Sequence, residues 1–131
     1  MGAMPEEING VVSLLNNCAQ STIGMRTYYS GNLNGIKTVL VFSRWGKVAA
    51  ASTVATLIHQ FNITELIFTG VAGAVSDSLN IGDIVIAKRL LQHDMDARPL
   101  MAQYEIPLLG KTYFDCADAQ MAIATAAVAQ L

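Results

Sequence analysis

The dipeptide Asn34-Gly35 constrains this chain more than any other local feature. Both residues tolerate positive φ, which a two-residue type I′ turn demands. The segments on either side, residues 25–33 and 36–43, are rich in β-formers. A tight hairpin is therefore predicted, and the rest of the chain must be arranged around it.

Helical patterns flank the hairpin. Pro5 suits a first helical turn, where its missing N–H costs nothing. Glu6 and Glu7 suit the positive end of the helix dipole. Ile8, Val11, Val12 and Leu15 follow on one face, predicting a helix over residues 5–16. After a break at Ser43-Arg44-Trp45-Gly46, residues 47–61 read as a second helix, with Val48, Ala51, Ala55 and Ile58 on one face. Residues 65–69 read as a short strand that runs into Gly70-Val71-Ala72-Gly73-Ala74. A turn at Asn80-Ile81-Gly82-Asp83 leads to a strand over residues 83–93. Its apolar stretch 84–87 suits a central parallel-sheet position. Residues 95–112 are loop-like, with Pro99 and Pro107, and Asp115 or Asp118 is positioned to cap a last, alanine-rich helix.

Composition narrows the class of function. Of the 131 residues, 53% are apolar and 14% charged, which favours a buried core over disorder. The net charge is −2, and no basic stripe marks a surface for nucleic acid or an anionic membrane. A neutral or zwitterionic small molecule is the better partner. Cys18 and Cys116 are far apart and in no metal spacing, so a reduced, cytoplasmic compartment is expected. No apolar run reaches the roughly 18 residues of a membrane helix, and the N-terminus lacks a signal-peptide pattern. The chain reads as one continuous domain or a piece of one. No strand leads into Gly2, and the last helix stops at Leu131 without a glycine, proline or polar tail. Both ends therefore read as cut, the C-terminal one more severely.

Four segments carry chemistry, each with two readings. In Gly2-Ala3-Met4-Pro5-Glu6-Glu7, a carboxylate at the edge of a sheet can serve as a general base or can simply complement the helix dipole. In Thr69-Gly70-Val71-Ala72-Gly73-Ala74, small residues past a strand end can present N–H groups to a ligand or form a plain turn. The spacing is neither a dinucleotide fingerprint nor a P-loop. Ser43-Arg44-Trp45-Gly46-Lys47 can hold an anion or merely start a helix, and Trp45 can stack on a base or pack in the core. His93-Asp94-Met95-Asp96 has no second histidine nearby, so loop-fixing hydrogen bonds are favoured over a metal site.

The order of these segments, joined by Tyr29-Ser30-Gly31-Asn32-Leu33-Asn34-Gly35, Gly46-Lys47-Val48-Ala49-Ala50-Ala51 and Ile81-Gly82-Asp83-Ile84-Val85, resembles the 5′-methylthioadenosine/S-adenosylhomocysteine nucleosidases of the nucleoside phosphorylase superfamily. The resemblance covers nearly all of residues 1–131, somewhat more than the first half of a typical member. It implies a partial domain, its C-terminal portion absent, of an α/β fold: three layers, α/β/α, with a mixed central sheet. It implies hydrolysis of the N-glycosidic bond with release of adenine from an adenine thionucleoside, a place in methionine salvage, a homodimer, and neither metal nor organic cofactor.

By the same resemblance, Glu7 matches the carboxylate that polarises the attacking water, and Met4 a methionine near the ribose. Val71, Ala72 and Gly73 match the loop beside sugar and base, with valine where relatives often carry serine. Trp45 stands where relatives often carry a pocket-lining isoleucine. Residues 97–109 match a segment lent to the partner subunit's pocket, to which Leu100, Met101, Pro107 and Leu108 are the apolar contributors. The family's leaving-group aspartate, its ribose-gripping glutamate and its adenine-stacking phenylalanine fall beyond Leu131, so this chain alone is expected to be nearly inactive. Two kinds of alternative remain open. One is a sister activity, phosphorylase or futalosine hydrolase. The other is a non-catalytic relative that only binds ligand or dimerises.

Overall fold

The computed structural model describes residues Met1–Leu131. They form two compact units, Met1–Gly73 and Ala74–Leu131.

The first unit contains α1 (Glu6–Val12), β1 (Asn16–Ile23), β2 (Arg26–Leu33), β3 (Ile36–Leu40) and α2 (Lys47–Phe61). The three strands pair antiparallel in the order β1-β2-β3. Between β2 and β3, Leu33 pairs with Ile36 across Asn34 (φ 51°) and Gly35 (φ 88°), the predicted two-residue turn. Asn32 Oδ1 accepts the Gly35 N–H at 2.6 Å and braces it. A second turn of the same kind, at Gly24 (φ 55°) and Met25 (φ 60°), joins β1 to β2. β1 carries no strand signal in the sequence. Its Asn, Gln and Ser residues have little strand preference, and pairing with β2 holds it extended.

Past β3 the sheet changes direction. Gly2 bridges Phe42 in parallel: its N–H reaches Val41 O at 3.2 Å, and its carbonyl accepts Ser43 N–H at 2.7 Å. On the other side, the Met1 ammonium donates to Ile67 O at 2.8 Å, and Thr69 N–H reaches Met1 O at 3.0 Å. Met1 and Gly2 thus lie between residues 41–43 and 67–69, and the sheet is mixed. They supply the extended segment that a parallel sheet requires ahead of α1.

Tyr28, Val41 and Leu57 form the core of this unit, with Met1, Ile23, Val39, Phe61 and Ile63 packed around them. The Tyr28 and Phe61 rings stack at 5.1 Å. Each large apolar side chain buried here contributes about 1.5–3 kcal/mol. α2 faces this core with Thr53 and Leu57, and the Thr53 hydroxyl is satisfied by Ala49 O at 2.7 Å. The face expected to be buried is not: Val48, Ala51, Ala55 and Ile58 are exposed. The helix is apolar on two sides, so periodicity alone picked the wrong one. α1 also stops earlier than expected, at Val12, and the next turn delivers Leu15 into a buried position.

The second unit contains β4 (Arg89–Leu90), β5 (Phe114–Asp115) and α3 (Asp118–Val128). β4 and β5 pair antiparallel, and Cys116 N–H to Lys88 O at 2.9 Å extends the ladder. The strand expected over residues 83–93 shrinks to these two residues. Residues 84–87 pair with no other segment, so Ile84 and Val85 stay exposed and do not occupy a central sheet position. Ala117 precedes α3 in an extended conformation. Asp118 lies in the first turn, where the dipole favours it, and neither aspartate caps the helix by a side-chain bond. No helix is long and apolar enough to cross a membrane.

Candidate active site

Glu7 occupies the second position of α1, and its side chain turns back toward the N-terminus. Oε2 accepts Ala3 N–H at 2.6 Å and Met4 N–H at 3.0 Å. Oε1 accepts Val71 N–H at 3.1 Å, from a residue 64 positions away. Three backbone donors thus converge on one partly exposed carboxylate. They hold its pKa below the ordinary 4.5, the Val71 N–H contributing most and the Met4 N–H next. The group is anionic at neutral pH. A carboxylate has about four acceptor sites. Three are used, and the remaining one, on Oε1, can accept a proton of a water molecule.

Two glycines permit this arrangement. A Cβ on Gly70 would lie 2.6 Å from Glu7 Oε1, and one on Gly2 would lie 2.9 Å from Glu7 Oε2 and from its Cβ. Any side chain at either position would push the carboxylate away. Sheet pairing brings these parts together: Met1–Gly2 delivers the Ala3–Met4 amides, and the bond from Thr69 to Met1 delivers Gly70 and Val71.

The same N-terminal segment also lines an open depression of about 500 Å³, formed by Ala3, Met4, Pro5, Glu6, Phe42, Arg44 and Trp45. Of the residues singled out in the sequence, the structure therefore brings Met4 and Trp45 to one depression and Glu7 and Val71 to one hydrogen-bonded cluster. Ala3 and Met4 belong to both. Trp45 is 77% exposed, so it is no core residue. Ala72 and Gly73 follow Val71 on the surface. Phe42, Arg44 and Gly70 were not among the predicted site residues. Arg44 and Gly70 lie in the anion-holding segment and the small-residue loop that the sequence singles out, and Phe42 was signalled only by its nearness in sequence to Trp45.

In the second unit, the Leu100 and Met101 N–H groups both bond to Ala97 O. Leu100 and Leu108 are 88% and 98% exposed, Pro107 is exposed and Met101 is half-buried. In the His93–Asp96 stretch, Asp96 Oδ1 accepts both the Arg98 N–H at 3.1 Å and Nε at 2.9 Å. Arg98 Nη2 also bonds Oδ2. The Arg98 guanidinium beside it pulls the Asp96 pKa down from 3.8 to about 2. This aspartate therefore serves the loop, through a residue two positions away.

The family model for the phosphorylase superfamily matches residues 1–131. The 5′-methylthioadenosine/S-adenosylhomocysteine nucleosidase of Psychromonas ingrahamii is 42% identical over 96 residues, covering 73% of this chain and 42% of that protein. The aminodeoxyfutalosine nucleosidase of Campylobacter jejuni is 36% identical over 96 residues, with the same shares of each chain, 73% and 42%. Among solved structures, S-adenosylhomocysteine nucleosidase of Streptococcus pyogenes, in complex with 5-methylthiotubericidin, superposes with a TM-score of 0.92 at 35% identity. The match covers 98% of this chain and 55% of that one. The chain thus spans about half the length of the relatives it matches. Over that span, the likeness shows the expected nucleoside phosphorylase-like α/β fold with its mixed sheet.

Proposed function

Because this chain belongs to the phosphorylase superfamily, we propose that it is the N-terminal part of a nucleosidase that hydrolyses the N-glycosidic bond of an adenine thionucleoside and releases adenine. The observation that carries this reading is the Glu7 carboxylate, fixed by three amides with one acceptor position left. Breaking the glycosidic bond sends its electron pair to the base and leaves positive charge on the sugar. An anion held beside the sugar stabilises that charge without reorganising. A water that donates to Oε1 is aimed at the anomeric carbon. As its oxygen bonds there, its proton passes to Glu7. The departing adenine needs a proton as well, and we assign that acid to sequence beyond the span of this chain.

In this reading residues 1–131 are one part of a single nucleoside phosphorylase-like domain. Met4 and Trp45 line the space for sugar and 5′ substituent, and Val71, Ala72 and Gly73 border the sugar and base. The exposed Leu100, Pro107 and Leu108, with half-buried Met101, cover the 5′ group of a partner subunit in a homodimer. Their exposure supports a role at an interface, since large apolar side chains gain little in water. No metal or organic cofactor enters this chemistry. We place the enzyme in the cytoplasm, in methionine salvage, with neither nucleic acid nor membrane as partner. The likeness to an aminodeoxyfutalosine nucleosidase supports a second reading, the same hydrolysis on a nucleoside with a different 5′ group.

The test is adenine release from methylthioadenosine in phosphate-free buffer. Release by protein extended to the relatives' full length supports hydrolysis. Release only on addition of phosphate replaces it with phosphorolysis.

A further inference from the structure

β2 and β3 pair from Leu33 opposite Ile36 as far as Tyr29 opposite Leu40, and there the ladder ends. The same register, continued, would set Arg26 opposite Ser43. Ser43 is buried, and its N–H is committed to Gly2 O at 2.7 Å. The half-buried Arg26 side chain takes up the other end of that residue: its Nε donates to Ser43 O at 3.2 Å, and its Nη1 donates to Gly24 O at 3.2 Å. One guanidinium thus ties the β1–β2 turn to the residue that holds Gly2. Arg44 links the same two segments in the reverse sense, its Nη2 donating to Met25 O at 2.9 Å.

Gly2 leads directly into the amides that hold Glu7. Ala3 and Met4 donate to Glu7 Oε2 at 2.6 Å and 3.0 Å. A Cβ on Gly2 would lie 2.9 Å from the same oxygen, so the Gly2 backbone cannot move toward the carboxylate without displacing it. Bonds donated by a guanidinium are charge-assisted and stronger than those between neutral groups. The bond from Arg26 to Ser43 is therefore suited to fixing a main-chain position. We infer that Arg26 is a positioning residue for Glu7: through Ser43 and Gly2 it sets where the Ala3 and Met4 amides hold the carboxylate. The assignment rests on the nucleosidase reading for what Glu7 does, and on the hydrogen bonds alone for where Glu7 is held.

The test follows the Glu7 side-chain carboxyl by carbon NMR through a pH titration of the 131-residue chain. Amides that hold the anion keep its pKa below 4.5, so looser amides let it rise. Arg26→Leu is expected to raise it, and Arg26→Lys, which keeps a charged donor on a flexible stem, to restore part of the shift. The rise should persist in about 1 M salt, where screening leaves a lost charge a reach of only about 3 Å. In protein extended to the relatives' full length, Arg26→Leu is expected to lower kcat for adenine release roughly tenfold, short of the about 10²-fold that a 1 Å misplacement costs. KM should stay within about twofold. Should Arg26→Leu not fold, Arg26→Gln takes its place with the same expectations. A Glu7 titration that does not move in the folded variant, a shift that vanishes in high salt, or an unchanged kcat in an active extended protein overturns the proposal. A shifted Glu7 titration in a protein that releases no adenine at full length removes the hydrolase reading and leaves the positioning of Glu7 by Arg26 standing.

Discussion

The two units of this chain use similar amino acids to opposite effect. Every buried residue lies in Met1–Gly73: Ile8, Leu15, Tyr28, Leu40, Val41, Ser43, Thr53 and Leu57 among them. Ala74–Leu131 is also rich in Ile, Val and Leu, yet none of its residues is buried. The difference lies in pairing. The first unit closes three antiparallel strands and two parallel contacts, and α2 seals one face. The second has one ladder of two-residue strands and a helix with no buried side chain. Apolar content supplies the driving force for burial, but hydrogen-bonded neighbours decide whether a segment can use it.

Two carboxylates that each accept three bonds repeat the contrast. Glu7 gathers amides from Ala3, Met4 and Val71, segments joined only by folding. Asp96 is satisfied by Arg98, two residues on, and needs no fold to find it.

The largest expected effect sharpens this comparison at Glu7. Glu7→Gln, in protein extended to the relatives' full length, should lower adenine release by about 10²–10⁴-fold, the usual range for a positioned base. Asp96→Asn should leave kcat within about twofold, since the Asp96–Arg98 pair is a surface ion pair of small effect. Comparable losses in both would break the distinction between a site carboxylate and a loop carboxylate. Gly70→Ala should follow, because its methyl would displace the carboxylate from below contact distance. A loss of about 10²-fold in kcat is expected from a misplacement of roughly 1 Å, with circular dichroism confirming that the fold persists.

Denaturant unfolding tests the packing contrast. Leu57→Ala should cost about 2–5 kcal/mol, the range for a buried leucine. Leu100→Ala or Ile123→Ala should stay within about 0.5 kcal/mol. Equal losses would mean that the second unit has a core in solution.

The smallest effect expected is in the pH dependence. Both carboxylates have lowered folded pKa values, so each contributes stability above its ordinary value and loses it as the pH falls through the folded one. For Asp96 that window runs from 3.8 to about 2. For Glu7 it opens below 4.5. The urea midpoint of Glu7→Gln should therefore fall less than that of the native chain between pH 5 and pH 3. Parallel curves would show that the amide cluster does not form in solution.

Much of the first unit was legible in the sequence. Asn34-Gly35 fixed the β2–β3 turn, and the break ending at Gly46 opened α2, whose predicted bounds 47–61 match. β1 was not legible, because Asn16, Asn17, Gln20 and Ser21 become a strand only against β2. The buried face of α2 was misread because Val48 and Ile58 are as apolar as Leu57, and only the sheet selects between them. At the site, Glu7 and Val71 were named from resemblance, but their hydrogen bond spans 64 positions and no local pattern encodes it. Gly70 carried no signal beyond its place after a strand. Its reason for being glycine is a carboxylate that reaches it through the fold.

The amide cluster around Glu7 has a consequence for reading related chains. Were Glu7 replaced by an apolar residue, the Ala3, Met4 and Val71 N–H groups would all lose their acceptor, and the N-terminal segment would lose its tie to the chain at Val71. Drift away from this glutamate is thus opposed by architecture as well as by chemistry. A descendant that had abandoned turnover and merely captured nucleosides would still have cause to keep it. Inheritance of Glu7 is a sign that the scaffold is intact, and under the proposed hydrolysis activity has to be judged from the acid assigned to the leaving base.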